Sequence, residues 1–395
     1  MKKKTIRDID LKNQRVLLRV DYNVQVENGR IVDDTRLRES LPTINELRRA
    51  GACIVICSHR GRPRGGVDES LRNAPVALHL TELLGVPVRT AQDCIGPDAE
   101  AQAASLRPGE VLMLENVRFH PEEEANNDEF ARALARLGDV FVNDAFGTAH
   151  RAHASTVGVT RYLPSVAGLL LEREVDYLTK VTDSPERPFG IVLGGSKVSD
   201  KIAILENLTK CADVICIGGA IANTFLKARG IDVADSLVEN DGIAGARYIM
   251  ALAEHRGDIE IVLPSDVVVA FGGAEGALVR TVSVAQVPVN WRILDIGPGT
   301  VQNFATALQR CKTVVWNGPM GLFEREPFDR GSMAVARVLG ELRSATTVVG
   351  GGETVAALRR AHVAERISHV STGGGASLAM LQGKPLPAVD ALLDA

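Results

Sequence analysis

Short apolar runs recur along this chain, each bounded by glycine or polar turns. In the first half they read RVLLRV (15–20), CIVIC (53–57), VLMLE (111–115) and DVFVN (139–143). Between several of them lie stretches such as LRESLPTINELRRAG and EEANNDEFARALARLG, where apolar residues return every three or four positions. Runs too short for helices, alternating with helical periodicity, predict βαβ units. They imply a parallel sheet with right-handed crossovers. A second series follows: FGIVLGG (189–195), ADVICIGG (212–219), DIEIVLPSDVVVA (258–270), TVVWNGP (313–319), TTVVGGG (346–352) and ISHVSTGGG (367–375). The segment SVAGLLLEREVDYLTKVT between the two series predicts an amphipathic linker helix over about 165–182. At 395 residues the chain exceeds one ordinary core, so two α/β domains with parallel sheets are expected.

In a parallel sheet the C-terminal strand ends share one edge, where open α/β sheets bind ligands. In the first half, the residues just past each strand are polar and basic: Asp21 and Asn23 with Arg36 beyond, then His59 and Arg62, then Arg118, then Arg151. Several cations gathered on one edge repel one another unless an anion sits among them, and the guanidinium fork suits phosphate and carboxylate. The expected ligand is a small, multiply negative metabolite, with Asp21 and Asn23 suited to a hydroxyl beside the anion. Glu122, Glu123 and Glu124 after Pro121 read instead as ordinary acids in a first helical turn.

The second half ends its strands in glycine. The stretch from Thr346 to Ser377 runs strand, Gly350-Gly351-Gly352, helix, then strand, Gly373-Gly374-Gly375, helix. Bare backbone at a helix N-terminus leaves N–H groups for phosphate oxygens. Gly194, Gly195, Gly218 and Gly219 form further turns of this kind, and a flat base suits glycine. Lys197 and Lys201, four apart, are expected on one face of a helix opening after Gly195, unfavourable there unless an anion is bound. Asn317 and Glu324 sit in a rigid Gly-Pro turn, with Glu324 a candidate for ribose hydroxyls.

Composition narrows the partners. A net charge of −4 argues against nucleic acid or an anionic membrane as the main partner. No run of 18 apolar residues occurs, and the basic start has no apolar stretch behind it, so neither a membrane span nor a signal peptide is expected. None of the six cysteines forms C-x-x-C; they read as core thiols of a reducing compartment, with Cys53, Cys57 and His59 as an outside zinc alternative. There is no G-x-x-x-x-G-K-[ST] and no complete G-x-G-x-x-G, which sets aside P-loop enzymes and weakens a dinucleotide reading.

The set RVDYN, DDTRL, SHRGRP, ENVRF, GTAHRAH, GGSKVSDK, GGAIANTF, LPSDVVVA, DIGPGT, WNGPMGLFE, GGGET and STGGGA resembles the phosphoglycerate kinases, in order and over essentially the whole chain. The resemblance implies a bilobal kinase of two similar-sized Rossmann-like domains joined by a hinge helix. Residues 1–168 would bind phosphoglycerate, residues 169–383 the nucleotide, and the tail 384–395 would pack back on the first domain. The implied reaction is reversible phosphoryl transfer between 1,3-bisphosphoglycerate and ADP, giving 3-phosphoglycerate and MgATP, by a cytoplasmic monomer. By matching motifs Asp21, Asn23 and Arg36 would hold the hydroxyl and carboxylate end of the substrate, and His59, Arg62, Arg118 and Arg151 its phosphate. Arg36, Lys197 and Lys201 would be catalytic. Gly194, Gly218, Gly219, Asn317, Glu324, Gly350, Gly351, Gly352 and Thr354 would contact the nucleotide, and Glu353 the Mg²⁺ carried with ATP or ADP.

The chain departs from the family pattern at Glu353, where aspartate is usual, and at Gln25, Arg60, Ile221 and Ala379. Glu353 and Arg60 motivate an alternative: a divergent paralogue acting on another phosphorylated carboxylic acid. A non-catalytic metabolite-binding protein is a third reading, against which every transfer residue is present.

Overall fold

Strands buried on both faces have no need of polar alternation, and CIVIC is the clearest case: Cys53–Cys57 is buried at every position. The computed structural model describes residues 2–63, 65–272 and 278–395, and divides into two compact units. Unit 1 comprises Met1–Asp176 and Pro385–Ala395, unit 2 Tyr177–Lys384.

In unit 1 six strands form a parallel sheet in the order Val88–Thr90, Val111–Met113, Cys53–Cys57, Arg15–Arg19, Val140–Asn143, Ser165–Ala167. The chain builds outward on one side from Arg15–Arg19, then returns to the other side through Val140–Asn143. That reversal is the switch point at which open sheets leave a crevice. Helix Thr35–Arg49 buries Leu37, Ser40, Thr43, Ile44 and Leu47, the stripe its three-to-four spacing predicts.

Unit 2 holds a second six-stranded parallel sheet: Glu260–Val262, Val214–Ile217, Phe189–Leu193, Thr313–Asn317, Thr346–Gly350, His369–Val370. Counted along the chain this is the doubly wound order 3-2-1-4-5-6, with its switch point between Phe189–Leu193 and Thr313–Asn317. Among the described residues no helix is long and apolar enough to cross a membrane.

Three expectations change. The run 258–270 is two strands, because Pro264 offers no N–H to continue a ladder. Glu260–Val262 stays in the parallel sheet, while Asp266–Phe271 pairs antiparallel with Leu278–Ser283 and Trp291–Ile296 in a separate three-stranded sheet. The linker helix is Leu169–Asp183. Residues Ser165–Ala167 are instead the sixth strand of unit 1, buried throughout and paired with Phe141–Asn143. The helix starts where Asp144 Oδ1 accepts from the N–H groups of Leu170 and Leu171, at 2.9 and 3.1 Å. Finally, the units divide within this helix, between Asp176 and Tyr177, rather than at 168/169.

Candidate active site

At the edge of the unit 1 sheet, Asp21 follows the strand Arg15–Arg19 and forms an ion pair with Arg36 Nη1. Burial is the largest single influence on the Asp21 carboxyl and pushes it up, but Arg36 together with the smaller pulls of its other neighbours, Arg19 and the Asn23 N–H among them, makes the net shift downward. Asn23 Oδ1 accepts from Gly61 N–H at 2.8 Å, tying the first strand end to the second. Gly147, after Val140–Asn143, leaves room for the Asp21–Arg36 pair, since a methyl there would overlap Asp21 Oδ2.

Arg118 is 6% exposed. Its Nη1 donates to Gly61 O at 2.9 Å, and its Nε lies 3.1 Å from Glu124 Oε1. Its Nε and Nη2 nonetheless lack any aligned hydrogen-bond acceptor. Burial, then the nearby Arg151 and Arg19 charges, lowers its pKa against the pull of Glu124. A buried guanidinium with unspent donors beside further cations is a place for an anion. Arg62 is exposed, and Arg151 donates to His150 Nε2 at 3.2 Å.

His59 is 3% exposed, and burial holds its pKa well below the usual range. Its Nδ1 lies 3.2 Å from Arg19 Nη2. A guanidinium only donates, so Nδ1 accepts and the ring proton sits on Nε2. His59 is therefore a neutral donor rather than one more positive charge.

Behind it lies a buried network that the sequence alone did not reveal. Arg19, fully buried, donates from Nε to Ser155 Oγ at 2.7 Å and lies 3.9 Å from Glu123, which is also fully buried. Glu123 accepts from Ser155 N–H at 2.8 Å and Ser155 Oγ at 2.6 Å. The acids at 122–124 thus do not open a helix: they lie in turns, the next helix being Asp128–Ala135, and Glu123 is the counter-charge of Arg19. A charged residue inside an otherwise apolar buried strand was the available signal.

His153 is buried, and its pKa falls to about 4 because of burial and then the Arg118, Arg19 and Arg151 charges. The unfolded chain takes up a proton near pH 6.5 that the folded His153 refuses until about pH 4. Stability is therefore lost as pH falls through that window, by on the order of 1–2 kcal/mol after solvent screening. His153→Gln should flatten the decline, as read by urea unfolding at pH 7 and pH 4.5. An unchanged slope would contradict the assignment.

In unit 2 the turns after neighbouring strands pack backbone against backbone. A Cβ on Gly219 (φ +63°) would come within 2.6 Å of Gly195 N and 2.7 Å of Pro319 O. Gly318 (φ +95°) presses on Gly194, and Gly194 on Pro319. Gly218 packs against Met320. Backbone contacts thus demand glycine at 194, 219 and 318, whereas at Gly218 only the flexible Met320 side chain stands in the way. Gly352 differs: φ is not positive and a Cβ there would meet no protein atom within 4 Å. It is the first residue of helix Gly352–Arg360, where backbone N–H groups are unspent.

Lys201 Nζ donates to Asn317 Oδ1, and Asn317 Nδ2 donates to Gly350 O at 3.0 Å. Thr354 Oγ1 accepts from Gly318 N–H at 2.8 Å and keeps its own proton to donate. Lys201, Asn317, Gly318 and Thr354 line a cavity of about 530 Å³ with Gly351, Gly352 and Glu353. Lys197 lines it too, but it is exposed and precedes helix Ser199–Leu208, so the two lysines do not share a helix face as expected. The second triplet opens only a seven-residue helix, Gly375–Leu381.

A second cavity, about 670 Å³, shares Gly195, Ser196, Pro319 and Glu353 with the first. It continues as a slot past the apolar Gly219, Val238, Ile296 and Met320, with Ser236, Arg292, Asp295 and Glu324 also on its wall. Burial and then the adjoining Glu324 carboxyl raise the Glu353 pKa, against Lys201. Two carboxyls held together, next to a lysine and free helix N–H groups, suit a hard cation carried by a polyphosphate.

Arg60 does not enter the unit 1 site. It is 3% exposed and its guanidinium donates to the carbonyls of Ser70 and Arg72. Among the described residues the metal-type side chains that come together are Asp93, Cys94 and His120, not Cys53, Cys57 and His59. His120 Nε2 lies within hydrogen-bond reach of Asp93 Oδ1, at 2.7 Å, while burial keeps the Cys94 thiol protonated.

A family model for phosphoglycerate kinase matches residues 6–384. The phosphoglycerate kinase of Pelotomaculum thermopropionicum is 56% identical over 394 residues, and that of Moorella thermoacetica 53% over 394, each alignment covering 100% of both chains. Among solved structures, phosphoglycerate kinase from Coxiella burnetii superposes with a TM-score of 0.89 at 40% identity, covering 98% of both chains. The enzyme from Pyrococcus horikoshii OT3 gives 0.85 at 32%, again over 98% of each.

Proposed function

The chain belongs to the phosphoglycerate kinase family, kinases that move a phosphoryl group to and from a carboxyl group, and on that premise we propose how its two units divide the reaction. Relatives of this identity over the full length do not favour the divergent-paralogue alternative. Its motive in Arg60 is also gone, since that guanidinium is spent on backbone carbonyls.

Unit 1 takes phosphoglycerate. Arg118, Arg151 and Arg62, with His59 donating through Nε2–H, hold the phosphate, and Asp21, Asn23 and Arg36 hold the hydroxyl and carboxylate end. The observation that carries this is Arg118: a buried cation whose Nη2 has no hydrogen-bond acceptor and whose Nε meets only the exposed Glu124 carboxylate, out of line, with other cations close by. A dianionic phosphate supplies what it lacks.

Unit 2 takes the nucleotide, with the base in the slot. Its phosphates lie along Lys201, Lys197 and the N–H groups at Gly351 and Gly352. Glu353, with Glu324 beside it, is the metal contact; the extra methylene relative to aspartate is tolerable because magnesium accepts carboxylates directly or through water. When bound, magnesium neutralises phosphate oxygens. The acceptor carboxylate of 3-phosphoglycerate is already ionised, so no general base is required. Catalysis is then alignment plus neutralisation of charge spreading over the moving phosphoryl group, supplied by Arg36, Lys201 and the helix N–H groups. Direct transfer also needs water excluded, and we place the hinge for that closure in Leu169–Asp183. We expect a monomer working in the cytoplasm.

The test is ADP release from MgATP with 3-phosphoglycerate, in a coupled assay. Turnover without 3-phosphoglycerate, or none with it, would overturn the reading. For unit 1, Gly147→Ala should raise KM for 3-phosphoglycerate by about tenfold by displacing Asp21 from Arg36. KM for ATP should stay within twofold or so, and equal rises in both would contradict the division.

A further inference from the structure

Arg118 and His59 come to the unit 1 pocket from two different strand ends, and one buried side chain ties those ends together. Asn116 follows the strand Val111–Met113 and caps the short turn Val117–Phe119 that carries Arg118. It is fully buried. Its Oδ1 accepts from the N–H of Arg60 at 3.2 Å and the N–H of Arg118 at 3.1 Å. Its Nδ2 donates to Arg60 O at 2.8 Å and to Leu71 O at 3.0 Å. A backbone N–H only donates and a carbonyl only accepts, so these four bonds fix the orientation of the amide and use its whole capacity.

The backbone gripped in this way is the middle of the loop after Cys53–Cys57. Arg60 lies between His59 and Gly61. Gly61 O is the acceptor of Arg118 Nη1 at 2.9 Å, and Gly61 N–H donates to Asn23 Oδ1. Leu71 backs the same loop: a Cβ on Gly61 would come within 2.6 Å of Leu71 Cδ2. The Arg60 guanidinium, bonded to the carbonyls of Ser70 and Arg72, pins that backing on either side of Leu71. A guanidinium that meets phosphate with a forked pair of bonds depends on where its backbone is set, and small displacements of such groups are costly.

We propose that Asn116 is a positioning residue for the phosphate pocket, setting Arg118 and His59 in place before the substrate arrives. It acts through those two residues and has no contact of its own with the ligand. This rests on the reading that unit 1 takes the phosphate of 3-phosphoglycerate. Because the amide is fully bonded in the ligand-free protein, little has to be ordered on binding.

Asn116→Asp tests this. It keeps the shape and both accepting bonds, but turns a carboxylate oxygen toward the carbonyls of Arg60 and Leu71. KM for 3-phosphoglycerate should rise by about tenfold or more. KM for ATP should stay within about twofold and kcat within about threefold. A residue that only held the fold would give less folded enzyme, hence a lower apparent kcat with both KM values intact. That pattern, or an equal rise in both KM values, overturns the proposal. Should the variant fail to fold, hydrogen exchange of the wild-type amides decides. The N–H groups of Arg60 and Arg118 should be protected by about 10²-fold or more before 3-phosphoglycerate is added, and change little when it is. Free exchange that slows only on addition of 3-phosphoglycerate overturns the proposal. Wild-type protein that does not turn over 3-phosphoglycerate sinks instead the reading on which the proposal rests.

Discussion

Replacing Lys201 by alanine is expected to lower kcat by about 10²–10³-fold, with the protein still folded and still binding 3-phosphoglycerate. Its ammonium is tied to Asn317 Oδ1, and Asn317 is itself tied to Gly350 O, so the charge is held at the glycine turn where the helix Gly352–Arg360 begins. Preorganised charge of this kind acts where charge develops and needs no rearrangement at the moment of transfer. Lys197 is exposed and lies before its helix, so Lys197→Ala should cost less. Steady-state kinetics with circular dichroism as the folding control checks both. A loss under tenfold for Lys201→Ala, or a larger loss for Lys197→Ala, would contradict these roles.

Glu123→Ala is expected to be strongly destabilising, by about 3–5 kcal/mol. Removing the carboxylate leaves Arg19 charged and fully buried, with only Ser155 Oγ, Val20 O and His59 Nδ1 as partners. It also strands the Ser155 N–H. Glu123→Gln keeps an acceptor for Ser155 and should cost clearly less. Urea unfolding of the three proteins decides it, and a loss below about 1 kcal/mol for the alanine variant would refute the counter-charge role.

What the sequence made legible was the alternation of strands and helices and the side chains just past each strand. Both are local: an apolar run such as CIVIC is buried whatever its neighbours do, and a strand end in a parallel sheet has only one edge to occupy. What stayed hidden depends on partners far along the chain. Glu123 looked like a helix-capping acid because Arg19 and Ser155, its actual company, are distant in sequence. Glycines at 194 and 219 looked like ligand positions, and their tight spacing also answers to the neighbouring turn at Gly318 and Pro319. At Gly352 a side chain would meet nothing of the protein, so packing gives no reason for glycine there. Pro264 could have split the run 258–270 from sequence alone, since a ladder cannot pass through it.

The closing residues Pro385–Ala395 belong to unit 1: Lys4 N–H donates to Leu393 O, Leu393 N–H to Ser165 O and Ala388 N–H to Ala149 O. Unit 1 is thus discontinuous in sequence: residues on either side of the whole of unit 2 must meet to close it, so its completion ties together the two ends of that intervening stretch.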